Sequence, residues 1–452
     1  MATHAQRTLS KETPKLIGKE IVLKGWVHKR RDHGKLIFLD VIDRSAVIQV
    51  VVNPKVSEES YKIAAELRPQ YVVEVKGVVK KRPEGTVNPD EKTGGIEIEA
   101  KELKILQKSE SLPFDIELSD LELPTLLDNR SLTLRSAKAR AIFSVQAAVL
   151  KGFRKAAKDL GATEIVVPTI VSGATEGGAE LFSVEYYEHK AFLSQSPQLY
   201  KQIMVSVFER VLTISHAYRA EPSVTTRHLS ETTQMDMEIG FVDFSEILDI
   251  FEKVAVSMLT YAQEKCEGEF KEFGFEKTSF GDIPRLTLRQ AQEIIKKEFG
   301  RDTKEDKDLT PQDEIDICKW GKEKHGSDLV TITHFPTVAK PFYTMPDPGD
   351  SGYSLSYDML FRGVEIMSGS IRITEYEQLV KSIKDRGMNP LDFGMYLMAF
   401  KYGMPPEGGF SFGLERVTMK LLGLQNIREA SLFPRDMERI DERFSKKTSA
   451  KG

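Results

Sequence analysis

The stretch RVLTISHAYRAEPSVTTRHLSETTQMDMEIGFVDF, from Arg210 to Phe244, decides how the rest of the chain is read. Residues 210–221 and 231–244 each alternate like strands, and the polar segment PSVTTR (222–227) lies between them. That pattern predicts neighbouring strands of an antiparallel sheet. Outward from it, a helix is expected over Ser136–Leu160, with Ile142, Val145, Val149, Phe153 and Leu160 on one stripe, stopped by Gly161. TEIVVP (163–168) then begins a strand that ends at Pro168. Residues 246–264 and 288–299 read as helices, and residues 353–373 read as a hairpin turning at Arg362-Gly363. Helices follow near 375–386 and 391–402, and a last one begins near Gly413 and stops at Gly423. Antiparallel strands mixed with helices make the fold class α+β. Neither G-x-x-x-x-G-K-[ST] nor G-x-G-x-x-G occurs, which removes a P-loop or a Rossmann reading.

At 452 residues the chain is long enough for two or three domains. Apolar content of 40% and charged content of 29% belong to a soluble globular protein. No apolar run of about 18 residues is present, so no membrane segment is expected, and MATHAQRTLSKETPK lacks the apolar core of a signal peptide. Cys266 and Cys318 make no disulfide framework and no metal-ligand spacing, which points to a reducing cytoplasm. The net charge of −4 leaves nucleic-acid binding to local patches.

The first hundred residues carry such a patch. Residues 20–29, 35–42 and 45–53 read as strands, Ser57 as a helix N-cap, and 70–80 and 95–106 as two further strands. The order βββ-α-ββ suits a five-stranded barrel of the OB type over 1–106. Phe38, Gln49 and the basic run HKRRDHGK (28–35) would lie on the face that binds single strands: an aromatic for stacking, an amide for base edges, Arg30 and Arg31 for phosphate. Residues 107–135 lose all periodicity and are punctuated by prolines, as in a hinge; 136–452 form the large domain.

Four clusters in the large domain suggest chemistry. YRAE (218–221) and Arg227, His228 and Leu229 flank the strand–loop–strand; ATEGGAELF (174–182) sets Glu176 beside a glycine pair. In the hairpin, Leu360 faces Glu365 with Asp358 on the same side, so two carboxylates near Ser368 and Arg372 can hold Mg²⁺ beside an anion. Arg416 opens a glycine-flanked helix, where its guanidinium and the helix N-terminus can meet a phosphate. Singly, each is as well read as surface ion pairing; the four together in this order are not. QSPQLYKQ (195–202) adds Gln198 and Lys201 three apart on one helical face, with Pro197 suited to the first turn.

These residues resemble a class II aminoacyl-tRNA synthetase over almost the whole chain. The helix and strand ending at Pro168 look like the family's first motif, which forms a dimer interface; YRAE…RHLSETTQMDMEIGF looks like the second and GGFSFGLER the third. Within the class, QSPQLYKQ is similar to the aspartyl-tRNA synthetase family. The large domain resembles the compact archaeal and eukaryotic type, whereas GWVHKRRDHGKLIFLDVIDR looks more bacterial.

The resemblance implies ATP and Mg²⁺, L-aspartate, tRNA(Asp) and a homodimer. It places the aspartate carboxylate on Lys201 and Arg372, with Gln198, Gln234, Asp236 and Glu176 holding the ammonium and orienting the ligand. Arg219 would bridge the attacking carboxylate and the ATP α-phosphate; Glu221, Arg227, His228, Leu229, Gly413, Glu415 and Arg416 would hold the nucleotide. Asp358, Glu365 and Ser368 would take the metal. Phe38, Gln49 and Arg31 would read the anticodon. His28 and Pro83 resemble relaxed members of the family, which also charge tRNA(Asn). The alternatives are an asparaginyl-tRNA synthetase, opposed by Lys201, an ammonia-dependent asparagine synthetase, opposed by the barrel, and a non-catalytic nucleic-acid-binding paralogue, opposed by the full set of catalytic side chains.

Overall fold

Five strands close the first of two units into a barrel. The computed structural model describes residues 6–89, 91–117, 121–173, 181–221 and 225–444. The chain divides at Asp115, giving units Met1–Asp115 and Ile116–Gly452. In the first, β1 (Glu20–Asp32), β2 (Ile37–Ile42) and β3 (Val47–Val52) are followed by α1 (Glu58–Glu66), β4 (Val72–Lys81) and β5 (Ile96–Gln107). The barrel closes in the order β1-β2-β3-β5-β4. Alternation does the work: Ile37, Leu39 and Val41 point inward and are fully buried, while Phe38 and Asp40 face out. Ser57 caps α1, its hydroxyl accepting the Ser60 N–H at 3.1 Å.

The second unit opens with α2 (Leu123–Asp128) and α3 (Arg130–Thr133), inside the segment read as a hinge. Pro124 there is not a breaker, for it lies in the first turn of α2, where a missing N–H is no loss. Buried Arg130 donates to the carbonyls of Glu429, Ser431 and Leu432, which ties this segment to the second unit. Then α4 (Ala137–Asp159) runs as expected, capped by Ser136 and followed by Gly161 at φ +79°.

β6 (Thr163–Glu164), β7 (Ile170–Val171), β8 (Ser183–Tyr186) and β9 (His189–Leu193) precede α5 (Gln198–Phe208), β10 (Arg210–Tyr218), β11 (Glu231–Gly240) and α6 (Phe244–Lys265). After α7 (Glu267–Glu272) come β12 (Arg285–Thr287), α8 (Leu288–Phe299), α9 (Pro311–His325), β13 (Leu329–Thr333), β14 (Ser356–Phe361) and β15 (Val364–Ile371). α10 (Tyr376–Asp385), α11 (Gly394–Lys401), β16 (Glu407–Gly413) and α12 (Leu414–Leu421) complete it. The main sheet has the order β12-β13-β14-β15-β16-β11-β10-β6.

β10 and β11 pair antiparallel, as their alternation predicted. The strand expected over 163–168 is only two residues long, and Val166 stands 97% exposed. The β14–β15 hairpin does turn at Arg362-Gly363, both with positive φ (46° and 82°), the backbone a two-residue turn requires. An irregularity after Leu360↔Glu365 then shifts the register, so Asp358 comes to face Ser368. The core packs α4 and α6 against the sheet through Phe153, Phe251, Tyr357, Phe410 and Phe412. Among the described residues no helix is long and apolar enough to cross a membrane.

Candidate active site

The N-terminus of α5, Arg219 just after β10, and strands β11, β15 and β16 line a cavity of about 250 Å³. Ser196 accepts the Gln198 N–H at 3.1 Å, and Pro197 stands just before the helix rather than within its first turn. This start turns Gln198 and Lys201 onto the buried face, where both line the cavity.

The deep end is ionic and buried. Lys201 Nζ lies 2.8 Å from Asp236 Oδ1 and 3.3 Å from Glu238 Oε2. Arg372 donates to the same Glu238 at 2.6 and 3.2 Å and to Ser370 Oγ at 2.5 Å. Two cations thus meet two carboxylates, and Glu238 is shared by both. Burial raises the pKa of Asp236 against the pull of Lys201. Burial works against the Arg372 charge, yet Glu238 holds its pKa above the ordinary value. A third carboxyl, Glu407, has its pKa pushed well up by burial and by Glu238. Gln202 donates to it at 2.8 Å, and Gln202 Oε1 accepts from Gln198 (3.0 Å) and from the Tyr396 hydroxyl (3.0 Å). Among the described residues, the buried Gln234 Oε1 and Asp236 Oδ2 have no hydrogen-bond partner. Gly409 makes room for the shared carboxylate, since a Cβ there would collide with Glu238.

The shallower end gathers arginines. Arg219 stands 4.0 Å from Glu221, which does not itself line the cavity. Arg227 pairs with Glu314 at 2.7 Å and donates to the Gly363 carbonyl at 3.2 Å. Glu314 lies on α9, and burial together with Glu365 pushes its pKa up to about 7. His228 meets the Thr225 hydroxyl at 2.5 Å; burial and the Arg416 charge lower its pKa. Leu229 is buried on the cavity wall. Arg416 donates to the Glu365 carbonyl at 3.1 Å and lies 3.8 Å from its carboxylate. Gly413 is the N-cap of α12 with no side-chain cap, and Glu415 accepts the Thr233 N–H at 3.0 Å. Burial raises Glu415 to about 7. Ser368 and Glu365 line the cavity, whereas Asp358 lies behind Lys340, whose ammonium is 2.9 Å from it. Burial lifts Asp358 to about 6, opposed by Lys340. Among the described residues no group of three or more carboxylates, histidines and cysteines converges on a metal position. Glu176 lies outside the described residues.

Glu238, Glu314, Lys340, Gln202 and Glu407 were not singled out from the sequence. Glu238 had a signal, because it continues the two-residue period of Gln234 and Asp236 on the same strand face.

On the barrel, Arg31 chelates Asp40 at 2.5 and 2.8 Å and reaches Gln49 at 3.3 Å, and Gln49 donates to Glu97 at 3.0 Å. Phe38, opposite Arg31, is half-buried with His33 edge-on at 5.4 Å. Half-buried His28 on β1 and exposed Pro83, which begins a turn between β4 and β5, are not part of that hydrogen-bonded set.

Residues 122–437 match the family of class II tRNA synthetases (D, K and N), and residues 21–106 match the OB-fold nucleic acid binding domain. The aspartate–tRNA(Asp/Asn) ligase of Thermus thermophilus is 42% identical over 439 residues, 96% of this chain and 99% of that protein. The aspartate–tRNA(Asp) ligase of Pyrococcus furiosus is 38% identical over 446 residues, 97% and 99% of the two chains. Among solved structures, asparaginyl-tRNA synthetase from Pyrococcus horikoshii complexed with asparaginyl-adenylate has a TM-score of 0.89 at 31% identity, covering 96% of this chain and 99% of that one.

Proposed function

The chain belongs to the class II tRNA synthetases and is a ligase of the aspartate–tRNA kind; from that premise we propose how its residues carry the reaction. The reading rests on one observation: Lys201 and Arg372 are fixed side by side by a single buried carboxylate, next to two buried acceptors that have no hydrogen-bond partner among the described residues. Glu238 and Asp236 balance the two cations at rest. Arg372 has N–H donors beyond its three bonds, and these with Lys201 receive the side-chain carboxylate of L-aspartate. Gln234 and Asp236 take its ammonium, with Gln198 and Glu176 orienting it. An asparagine amide in the same place puts an N–H₂ against cations, so the site rejects it.

Arg219 holds the aspartate α-carboxylate against the ATP α-phosphorus. The carboxylate oxygen attacks, the bond to the bridging oxygen breaks, and pyrophosphate leaves. Arg219 meets the charge that builds on the α-phosphoryl oxygens, and Arg227, His228 and Arg416 hold the departing end. Glu221, Leu229, Gly413 and Glu415 seat the adenosine. The terminal ribose hydroxyl of tRNA then attacks the adenylate carbonyl and AMP leaves. Asp358, Glu365 and Ser368 offer only oxygen donors, which a hard cation takes. Mg²⁺ held there would neutralise phosphate charge.

The barrel, 1–106, reads the anticodon with Phe38, Gln49 and Arg31. Charging extends to tRNA(Asn), because Pro83 brings no N–H to the rim and His28 stands beside the reading face. The enzyme works as a cytoplasmic homodimer, with exposed Val166 in the contact.

Pyrophosphate exchange tests the core of this reading. Aspartate should drive it and asparagine should be nearly inert, while equal rates would remove the role of the Lys201–Arg372 pair. For the tRNA, charging of tRNA(Asn) should fall within about tenfold of tRNA(Asp), about 1.4 kcal/mol. A thousandfold preference would make the enzyme strict.

A further inference from the structure

Lys340 lies in the connection between β13 and β14, and the reaction described above gives it no part. Its ammonium is 2.9 and 3.2 Å from the two oxygens of Asp358 and 3.8 Å from the centroid of the Phe335 ring. The side chain also lines the cavity wall with Glu365 and Ser368. Two more carboxylates act on it, Asp308 from the segment between α8 and α9, and Glu365 from β15. This ion pair already sets an ammonium among the oxygen donors assigned to the metal.

We propose that Lys340 is a built-in counter-cation: it neutralises Asp358 before nucleotide arrives, opposes binding of a free divalent cation, and so makes metal binding depend on the triphosphate. This rests on the reading of Asp358 and Glu365 as the metal-holding carboxylates. The physical ground is like-charge repulsion. A divalent ion at Asp358 must sit against an ammonium a few ångströms away in a nearly dry place. The triphosphate brings several negative charges, which offset that repulsion; without them the lysine holds the carboxylate.

The test uses Mn²⁺ as the probe, with the free ion counted by electron paramagnetic resonance on the full chain without ATP. Lys340→Met should bind Mn²⁺ at least tenfold more tightly than the wild type, Lys340→Arg should not, and Asp358→Asn added to Lys340→Met should abolish the gain. Equal affinity of Lys340→Met and wild type overturns the proposal. Lys340→Met leaves a buried carboxylate bare, so its melting temperature is read as well. Mn²⁺ should raise it more than it raises that of the wild type, and equal shifts count against the proposal. The metal assignment is tested separately, in the wild type with ATP present. Loss of bound Mn²⁺ on Glu365→Gln upholds it, and no bound Mn²⁺ at all overturns it. Bound Mn²⁺ there with no gain in Lys340→Met overturns the counter-cation role alone.

Discussion

The barrel face and the deep end of the catalytic cavity use the same device, an arginine locked to a carboxylate across strands, under opposite conditions of solvent. Arg31 holds Asp40 with side chains 34% and 18% exposed; Arg372 holds Glu238 at 4% and 0%. At the surface the pair is screened and contributes on the order of 1 kcal/mol or less, so an arriving phosphate or base edge can displace it easily. In the cavity neither charge has water to fall back on, and removing one partner costs about 3–5 kcal/mol. The barrel can therefore sum many weak contacts over a large ligand. In the proposed reading the cavity rests its selectivity on a few buried, paired groups. Exposure, more than residue type, separates the two pairs.

The sharpest test acts on the residues proposed to meet the reacting atoms. Arg219→Ala and Glu365→Gln should each lower adenylate formation by about a thousandfold or more, with thermal melting unchanged. A matching collapse in melting temperature would recast both as structural. Next, Glu238→Gln should raise the KM for aspartate and destabilise the fold by about 3–5 kcal/mol, since two buried cations lose their shared partner. If denaturant midpoints stay put, the cavity pair is no stiffer than the surface one and the comparison breaks.

A pH series follows. Glu314 has a folded pKa raised from 4.5 to about 7, so its contribution to stability is fully present below pH 4.5 and is lost as pH rises through 7. That loss is on the order of 3 kcal/mol. Glu314→Gln should flatten the fall in stability between pH 5 and 8, as read by melting at both values; parallel curves would refute the assignment. The smallest effect belongs to the barrel. Arg31→Ala should raise the KM for tRNA about tenfold and leave pyrophosphate exchange untouched. An effect on exchange would mean that the surface pair does more than read.

Legibility followed periodicity. The barrel strands, α4 with Ser136 and Gly161, and the Arg362-Gly363 turn announce themselves through alternation, caps and positive φ. The register shift after Leu360 does not, because nothing in VEIMSGS marks the extra residue that brings Asp358 opposite Ser368. Helix α9 has start and stop signs in Thr310, Pro311 and Gly326, but its buried face includes Asp313, and Asp316 beside it also pairs with Arg301. No apolar stripe appears there, so Glu314 stayed hidden. Gln202 and Glu407 meet only in the folded chain, across 205 positions of sequence. Lys340 lies in an irregular connection where spacing carries no information.

Gly409 sets a limit on how this enzyme can drift. It touches no ligand in the proposed reaction, yet even one methyl group there would strike the carboxylate that steadies both Lys201 and Arg372. A saturation library should therefore find this position nearly as intolerant as the arginines proposed for catalysis. A smaller side chain at Glu238 would not open the position, because the same methyl group would also stand 2.5 Å from the Met237 carbonyl oxygen.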